Sequence, residues 1–209
     1  TALIGFAGAP WTVMTYMVEG GSSRDFTITR EWAWKYPKQV DALLGSLIES
    51  TISFMSLQAS AGADALMLFD SWASAVPAAQ RNWLVTQPAR LIIEELRKNG
   101  HKQPVIGFPK GIGEGLITYV DQSGVDAVGL DHGVDPVWVD RNLPQNFPVQ
   151  GNLDPLSLLQ AGPEMFRDID HILDAFANRP HIFNLGHGIT PPTPTENVQL
   201  MLDHIRRHQ

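Results

Sequence analysis

Cysteine is missing from all 209 residues. Its absence excludes disulfide scaffolds, thiolate nucleophiles and thiolate-held metal ions together, and fits a cytoplasmic protein. Basic tracts are missing as well. The chain has 15 Lys and Arg against 22 Asp and Glu, a formal net charge of −7. An acidic chain without a basic stripe has little with which to neutralise a phosphate backbone, so nucleic acid is not an expected partner. No uninterrupted apolar run approaches the roughly 18 residues that cross a membrane, and no membrane partner is expected. The phosphate loop G-x-x-x-x-G-K-[ST], the dinucleotide fingerprint G-x-G-x-x-G, the nucleophile elbow G-x-S-x-G and the zinc helix H-E-x-x-H are all absent. No signal peptide is expected before Thr1; the chain runs at once into Ala2-Leu3-Ile4-Gly5-Phe6 and reads as cut from something longer.

What is present is a globular composition, 44% hydrophobic and 18% charged. Six short apolar runs are bounded by Gly, Pro, Asp or Asn: Ala2–Ala7, Ala65–Asp70, Val105–Pro109, Ala127–Asp131, Phe147–Asn152 and His181–Gly186. Most are continuously apolar, as suits strands buried on both faces of a parallel sheet. Helical patterns lie between them. Lys38–Ser60 places Val40, Leu43, Leu44, Leu47, Ile48, Ile52 and Met55 on one face, and Gln87–Asn99, Glu114–Gln122, Pro163–Asn178 and Thr195–Arg207 follow. Thr195 is the expected cap of the last helix. The alternation predicts βαβ units in one domain over residues 1–209. A doubly wound sheet and a (β/α)8 barrel both satisfy it; a full barrel takes about 250 residues, so six units are three quarters of one.

Polar residues follow the strands. Pro10-Trp11-Thr12 and Tyr16 follow the first, Ser71-Trp72 the second, Lys110-Gly111 the third, Asp131-His132 the fourth, Asn152 and Asp154 the fifth, and His187-Gly188 the sixth. In parallel α/β proteins the carboxyl ends of the strands share one rim, where sites are built. Each residue also has a plainer reading. Asp70, Asp131 and Asp154 suit turn or helix caps, Lys110 suits a solvated loop, and Tyr16 lies in a short helical pattern and suits a core position. His187 sits between two glycines, which favours a functional role. Gly111-Ile112-Gly113-Glu114-Gly115 is a weak anion-binding candidate. His204 and His208 are i, i+4 on a helical pattern, in what reads as a solvated tail.

The segments GFAGAPWTVMTYMVEGG, AGADALMLFDSW, FPKG, GLD, QGNLDP and FNLGHGITPPTP, in that order, resemble uroporphyrinogen decarboxylase from about residue 3 to the end. His132 and Gly133 stand where relatives often carry Trp and Thr. The resemblance implies a (β/α)8 barrel, a homodimer with facing clefts, and no metal or organic cofactor. It implies removal of carbon dioxide from the four acetate chains of uroporphyrinogen, giving coproporphyrinogen in haem and other tetrapyrrole synthesis. It further implies that Tyr16, Ser71 and His187 hydrogen-bond substrate carboxylates and that Phe6 and Phe69 lie against the macrocycle. The family's R-Q-A-G-R segment, which holds its favoured proton donor, and its strand-end Asp have no counterpart here. No catalytic residue is therefore assigned, and the chain is expected to be the inactive carboxyl-terminal six units. Two alternatives stay open: a fragment that only binds tetrapyrrole, and a methyltransferase of the same superfamily, which the absence of Cys disfavours.

Overall fold

The structure is a computed structural model that describes residues 1–21 and 23–208. It divides into two compact units, Thr1–Ala127 and the remainder from Val128 onward.

In the first unit β1 (Ile4–Gly8) leads into α1 (Pro10–Glu19), α2 (Thr27–Lys35) and α3 (Pro37–Ser60). Then come β2 (Ala65–Asp70), a 3-10 turn, α4 (Ala78–Arg81), a π turn running into α5 (Gln87–Lys98), β3 (Val105–Pro109) and α6 (Gly115–Gln122). Proline at the first turns of α1, α3 and α5 starts each helix where its missing N–H costs nothing. The strands are parallel and in register, Phe6 beside Met67 beside Ile106, and Gly8 beside Phe69 beside Phe108. Strand alternation then sorts the side chains. Phe6, Met67, Phe69, Ile106 and Phe108 share one face, where Met67, Ile106, Phe108 and Ala127 form an apolar cluster against Phe69. Leu66, Leu68 and Asp70 share the other face, under the helices. All five residues of β3 are buried, whereas Phe6 on β1 remains 62% exposed.

The second unit holds β4 (Ala127–Gly129, its first residue in the first unit), α7 (Pro136–Asn142), β5 (Val149–Gln150), α8 (Pro155–Gln160), α9 (Pro163–Ala175), β6 (His181–Ile182) and α10 (Thr195–His208). The strands β4, β5 and β6 pair in parallel in that order.

The elements depart from expectation where the backbone bends. The last three strands are shorter than predicted. Gly151, at φ 132°, interrupts the β5–β6 ladder, and pairing resumes only at a single Leu153–Leu185 bridge. Thr195 is itself the first residue of α10 rather than its cap. Helix α3, at 24 residues with a mean hydropathy of 1.3 over its most apolar stretch, is long and apolar enough to cross a membrane by length and composition alone, although Lys38, Asp41 and Glu49 interrupt its apolar runs. In the structure it buries Val40, Leu44, Thr51, Met55 and Ala59, and it packs on α1, α5 and β1.

Candidate functional site

The carboxyl ends of β1 and β2 are tied together by α1. The Thr12 hydroxyl donates to Asp70 Oδ1 at 2.6 Å and accepts from the Trp72 N–H at 3.2 Å. The indole of Trp11, fully buried, donates to the Trp72 carbonyl at 2.9 Å. The Ala9 N–H reaches the Phe69 carbonyl at 2.8 Å, and the Lys110 N–H reaches the Asp70 carbonyl at 3.1 Å. Residues 69 to 72 are therefore held from both sides, which fixes the backbone that carries Ser71.

Asp70 is 2% exposed. Burial pushes its carboxyl up to about 7, against the opposing pull of the Thr12 hydrogen bonds. Its charge in turn reinforces the burial that raises the Tyr119 phenol. Asp70 thus anchors the strand end from the helix side, and the capping expectation gives way to a buried bridge to α1. Ser71, one residue on in the turn after β2, is half-buried.

On the Phe69 side the aromatic rings form a row. Phe6 meets Phe69 edge-on at 5.9 Å between centroids, and Phe69 meets Phe108 in the same manner at 5.7 Å. Tyr16 is 54% exposed and stands edge-on to Trp72 at 6.5 Å, so it is no core residue. Lys110 Nζ lies 5.9 Å from the centroid of the Trp72 ring, which places it on the site rather than in a detached loop. The structure brings Phe6 and Phe69 together at one strand-end face, and Tyr16 and Ser71 onto the segments joined through Thr12 and Trp72. Neither Thr12 nor Trp72 stands out for this role in the sequence. The signal was present in W-T-x-x-x-Y and F-D-S-W, but the hydrogen bonds that join those motifs span about sixty residues.

In the second unit the strand-end polar residues mostly build structure. Asp135 and Asp154 cap α7 and α8, accepting from the Val137 and Leu156 N–H groups at 2.8 and 2.9 Å. Asp131 accepts from the Gly133 N–H at 2.9 Å. Asn152, buried, donates to the carbonyls of Asp131 and Val134. His187 is exposed in the turn after β6. A side chain at Gly186 would strike the His132 backbone, so this glycine has a packing cause, while Gly188 has open space around it. His204 and His208 are not a solvated tail. They pair with Asp170 and Asp174 of α9 at 2.7 and 3.3 Å, and His204 stacks on Phe166 at 4.5 Å. In the first unit, Gly115 at the start of α6 is overlain by the Arg81 side chain. Among the described residues no three His, Asp or Glu are grouped to hold a metal ion.

The family model described as uroporphyrinogen decarboxylase (URO-D) matches residues 1–208. A uroporphyrinogen decarboxylase from Novosphingobium aromaticivorans is 51% identical over 207 residues, covering 99% of this chain and 60% of that protein. One from Maricaulis maris is 46% identical, with the same coverage of each. The chain thus spans about three fifths of the curated relatives it matches. Among solved structures, a methyltransferase from Methanosarcina mazei superposes with a TM-score of 0.82 at 16% identity, over 100% of this chain and 59% of that one. At that identity the likeness speaks for the fold alone, and the parallel strand–helix succession is that of an incomplete (β/α)8 barrel.

Proposed function

The chain belongs to the uroporphyrinogen decarboxylase family, and from that membership we propose that residues 1–209 supply six strand–helix units of a uroporphyrinogen decarboxylase, forming one partial barrel domain. The observation that supports this most is the aromatic row of the first unit, with Ser71 two residues beyond Phe69 and Tyr16 edge-on to the Trp72 that follows. A flat, apolar macrocycle edged with acid chains matches that surface: Phe6 and Phe69 take the ring, and Tyr16 and Ser71 donate to an acetate carboxylate. His187 is the third carboxylate donor of the proposal, carried over from the N-L-G-H-G motif.

The chemistry needs little else from these residues. A proton is added to the ring α-carbon next to the carbon that bears the acetate arm. The bond between the arm's methylene and its carboxylate then breaks, its electron pair flows into the cationic ring, and carbon dioxide leaves. A second proton converts the exocyclic methylene to methyl as the first is returned. The net change is acetate plus one proton to methyl plus carbon dioxide. Neutral hydroxyls hold the carboxylate without over-stabilising it relative to the transition state. The positive ring calls for a facing anion. Asp70 does not provide it, because its carboxyl is turned to the helix side and bound to Thr12. The chain alone is therefore inactive, and the whole enzyme works as a cytoplasmic homodimer on uroporphyrinogen, with no metal or organic cofactor.

The test is an anaerobic decarboxylation assay. The 209-residue chain is compared with a chimera joining it to the part of the Novosphingobium protein that it does not cover. The proposal expects no turnover from the chain, turnover from the chimera, and at least a tenfold loss in kcat/KM when the chimera carries Ser71→Ala or Tyr16→Phe. A chimera that folds but is inactive, or an unaffected double variant, would overturn it.

A further inference from the structure

Beside the strand-end face lies a cavity of about 460 Å3, walled by Arg24, Phe26, Arg30, Trp72, Val76 and Pro77. Three observations describe what it takes. Neither Arg24 nor Arg30 forms an ion pair with an acidic side chain among the described residues. Asp25 also lines the cavity, so its walls carry two positive charges and one negative. Arg30 Nε and Trp72 Nε1 are both buried and have no acceptor; Arg30 spends only Nη1, on the Asp25 carbonyl at 3.4 Å. A buried donor left without a partner is unfavourable, and two such donors in the walls of one cavity call for an acceptor from outside. A planar guanidinium suits a carboxylate. Apart from Ser74 the remaining wall is apolar: the Phe26 and Trp72 rings stand 4.8 Å apart, with Ala75, Val76 and Pro77 beside them, as a hydrocarbon arm behind the acid group would require.

Trp72 also faces Tyr16 and Lys110 and follows Ser71, so this cavity and the strand-end face share a wall. We propose that the Arg24–Arg30–Trp72 cavity is a second carboxylate subsite. It takes one acid arm of the same polycarboxylate whose other arm meets Tyr16 and Ser71. The assignment rests on the tetrapyrrole reading for the identity of the ligand, but not for the presence of an acid-binding site.

Titration calorimetry on the 209-residue chain with two probes separates the two. One probe is uroporphyrin, the stable oxidised octaacid; the other is trimesate, a planar benzene tricarboxylate small enough for the cavity alone. Arg30→Met keeps the stem volume and removes the charge, and is expected to weaken both probes at least tenfold. Arg24→Met, at an exposed position, is expected to weaken both three- to tenfold and serves as the deciding variant if Arg30→Met fails to fold. Tyr16→Phe should weaken uroporphyrin and leave trimesate unchanged. Uroporphyrin binding that neither arginine variant alters would overturn the subsite and leave the tetrapyrrole reading standing. Arginine-dependent trimesate binding without uroporphyrin binding would support the subsite and count against that reading. Failure of trimesate to bind the wild-type chain would overturn the subsite.

Discussion

Replacing Asp70 by Asn should change how stability depends on pH. The folded chain holds the Asp70 proton up to about pH 7, whereas an ordinary aspartate loses it near 3.8. Between those values the folded state binds the extra proton, so stability falls as pH rises through the window and levels off above it. Converted at about 1.4 kcal/mol per unit, the cost of Asp70 is about 2 kcal/mol near pH 5 and about 4 kcal/mol near pH 8. Asn removes the titration while its carbonyl oxygen still accepts from Thr12. Its amide protons bring a roughly constant penalty, so the slope, not the offset, carries the prediction. Burial and the nearby Arg179 charge hold His181 below the ordinary imidazole value, against the raising effect of its Gly151 hydrogen bond. It therefore costs stability as pH falls through about 6.5, but it does so equally in both proteins and cancels. Urea unfolding followed by tryptophan fluorescence at several pH values gives the difference directly. Asp70→Asn should gain about 2 to 3 kcal/mol on wild type between pH 5 and pH 8. A difference constant to within about 0.5 kcal/mol would refute the placement of a protonated carboxyl under α1.

Two further substitutions probe local geometry. Thr12→Val removes the hydroxyl that bridges Asp70 and the Trp72 N–H, and should cost about 2–4 kcal/mol in chemical denaturation, because both buried partners lose it together. Gly186→Ala should destabilise the chain by about 2 kcal/mol or more through the clash with the His132 backbone, while Gly188→Ala changes stability by less than about 0.5 kcal/mol; equal effects at the two glycines would contradict the close approach.

The legible part of the molecule was the part written locally. The long α3 pattern, the fully apolar β3 and the capping role of Asp154, realised at the start of α8, all have a cause within a few residues. Helix α2 was not legible: its sequence TITREWAWK buries only Thr29 and Ala33 and has no apolar period. The site shows the same division. Ser71 and Phe69 stand out in F-D-S-W, and strand parity already separates Asp70 from Phe69. That Asp70 meets Thr12, 58 residues away, depends on how α1 lies across β2. The glycines around His187 looked like a single functional signal, yet Gly186 answers to a backbone that passes beside it. The histidines of α10 looked solvated because their acidic partners lie on another helix.

The central claim is that the strand-end face of the first unit holds the tetrapyrrole by its ring and an acid arm. A structure of the active chimera with coproporphyrinogen, prepared anaerobically, tests it most directly. The account expects the macrocycle against Phe6 and Phe69, with one carboxylate within about 3.2 Å of the Tyr16 and Ser71 hydroxyls. A macrocycle bound elsewhere, with both hydroxyls left to solvent, would contradict it.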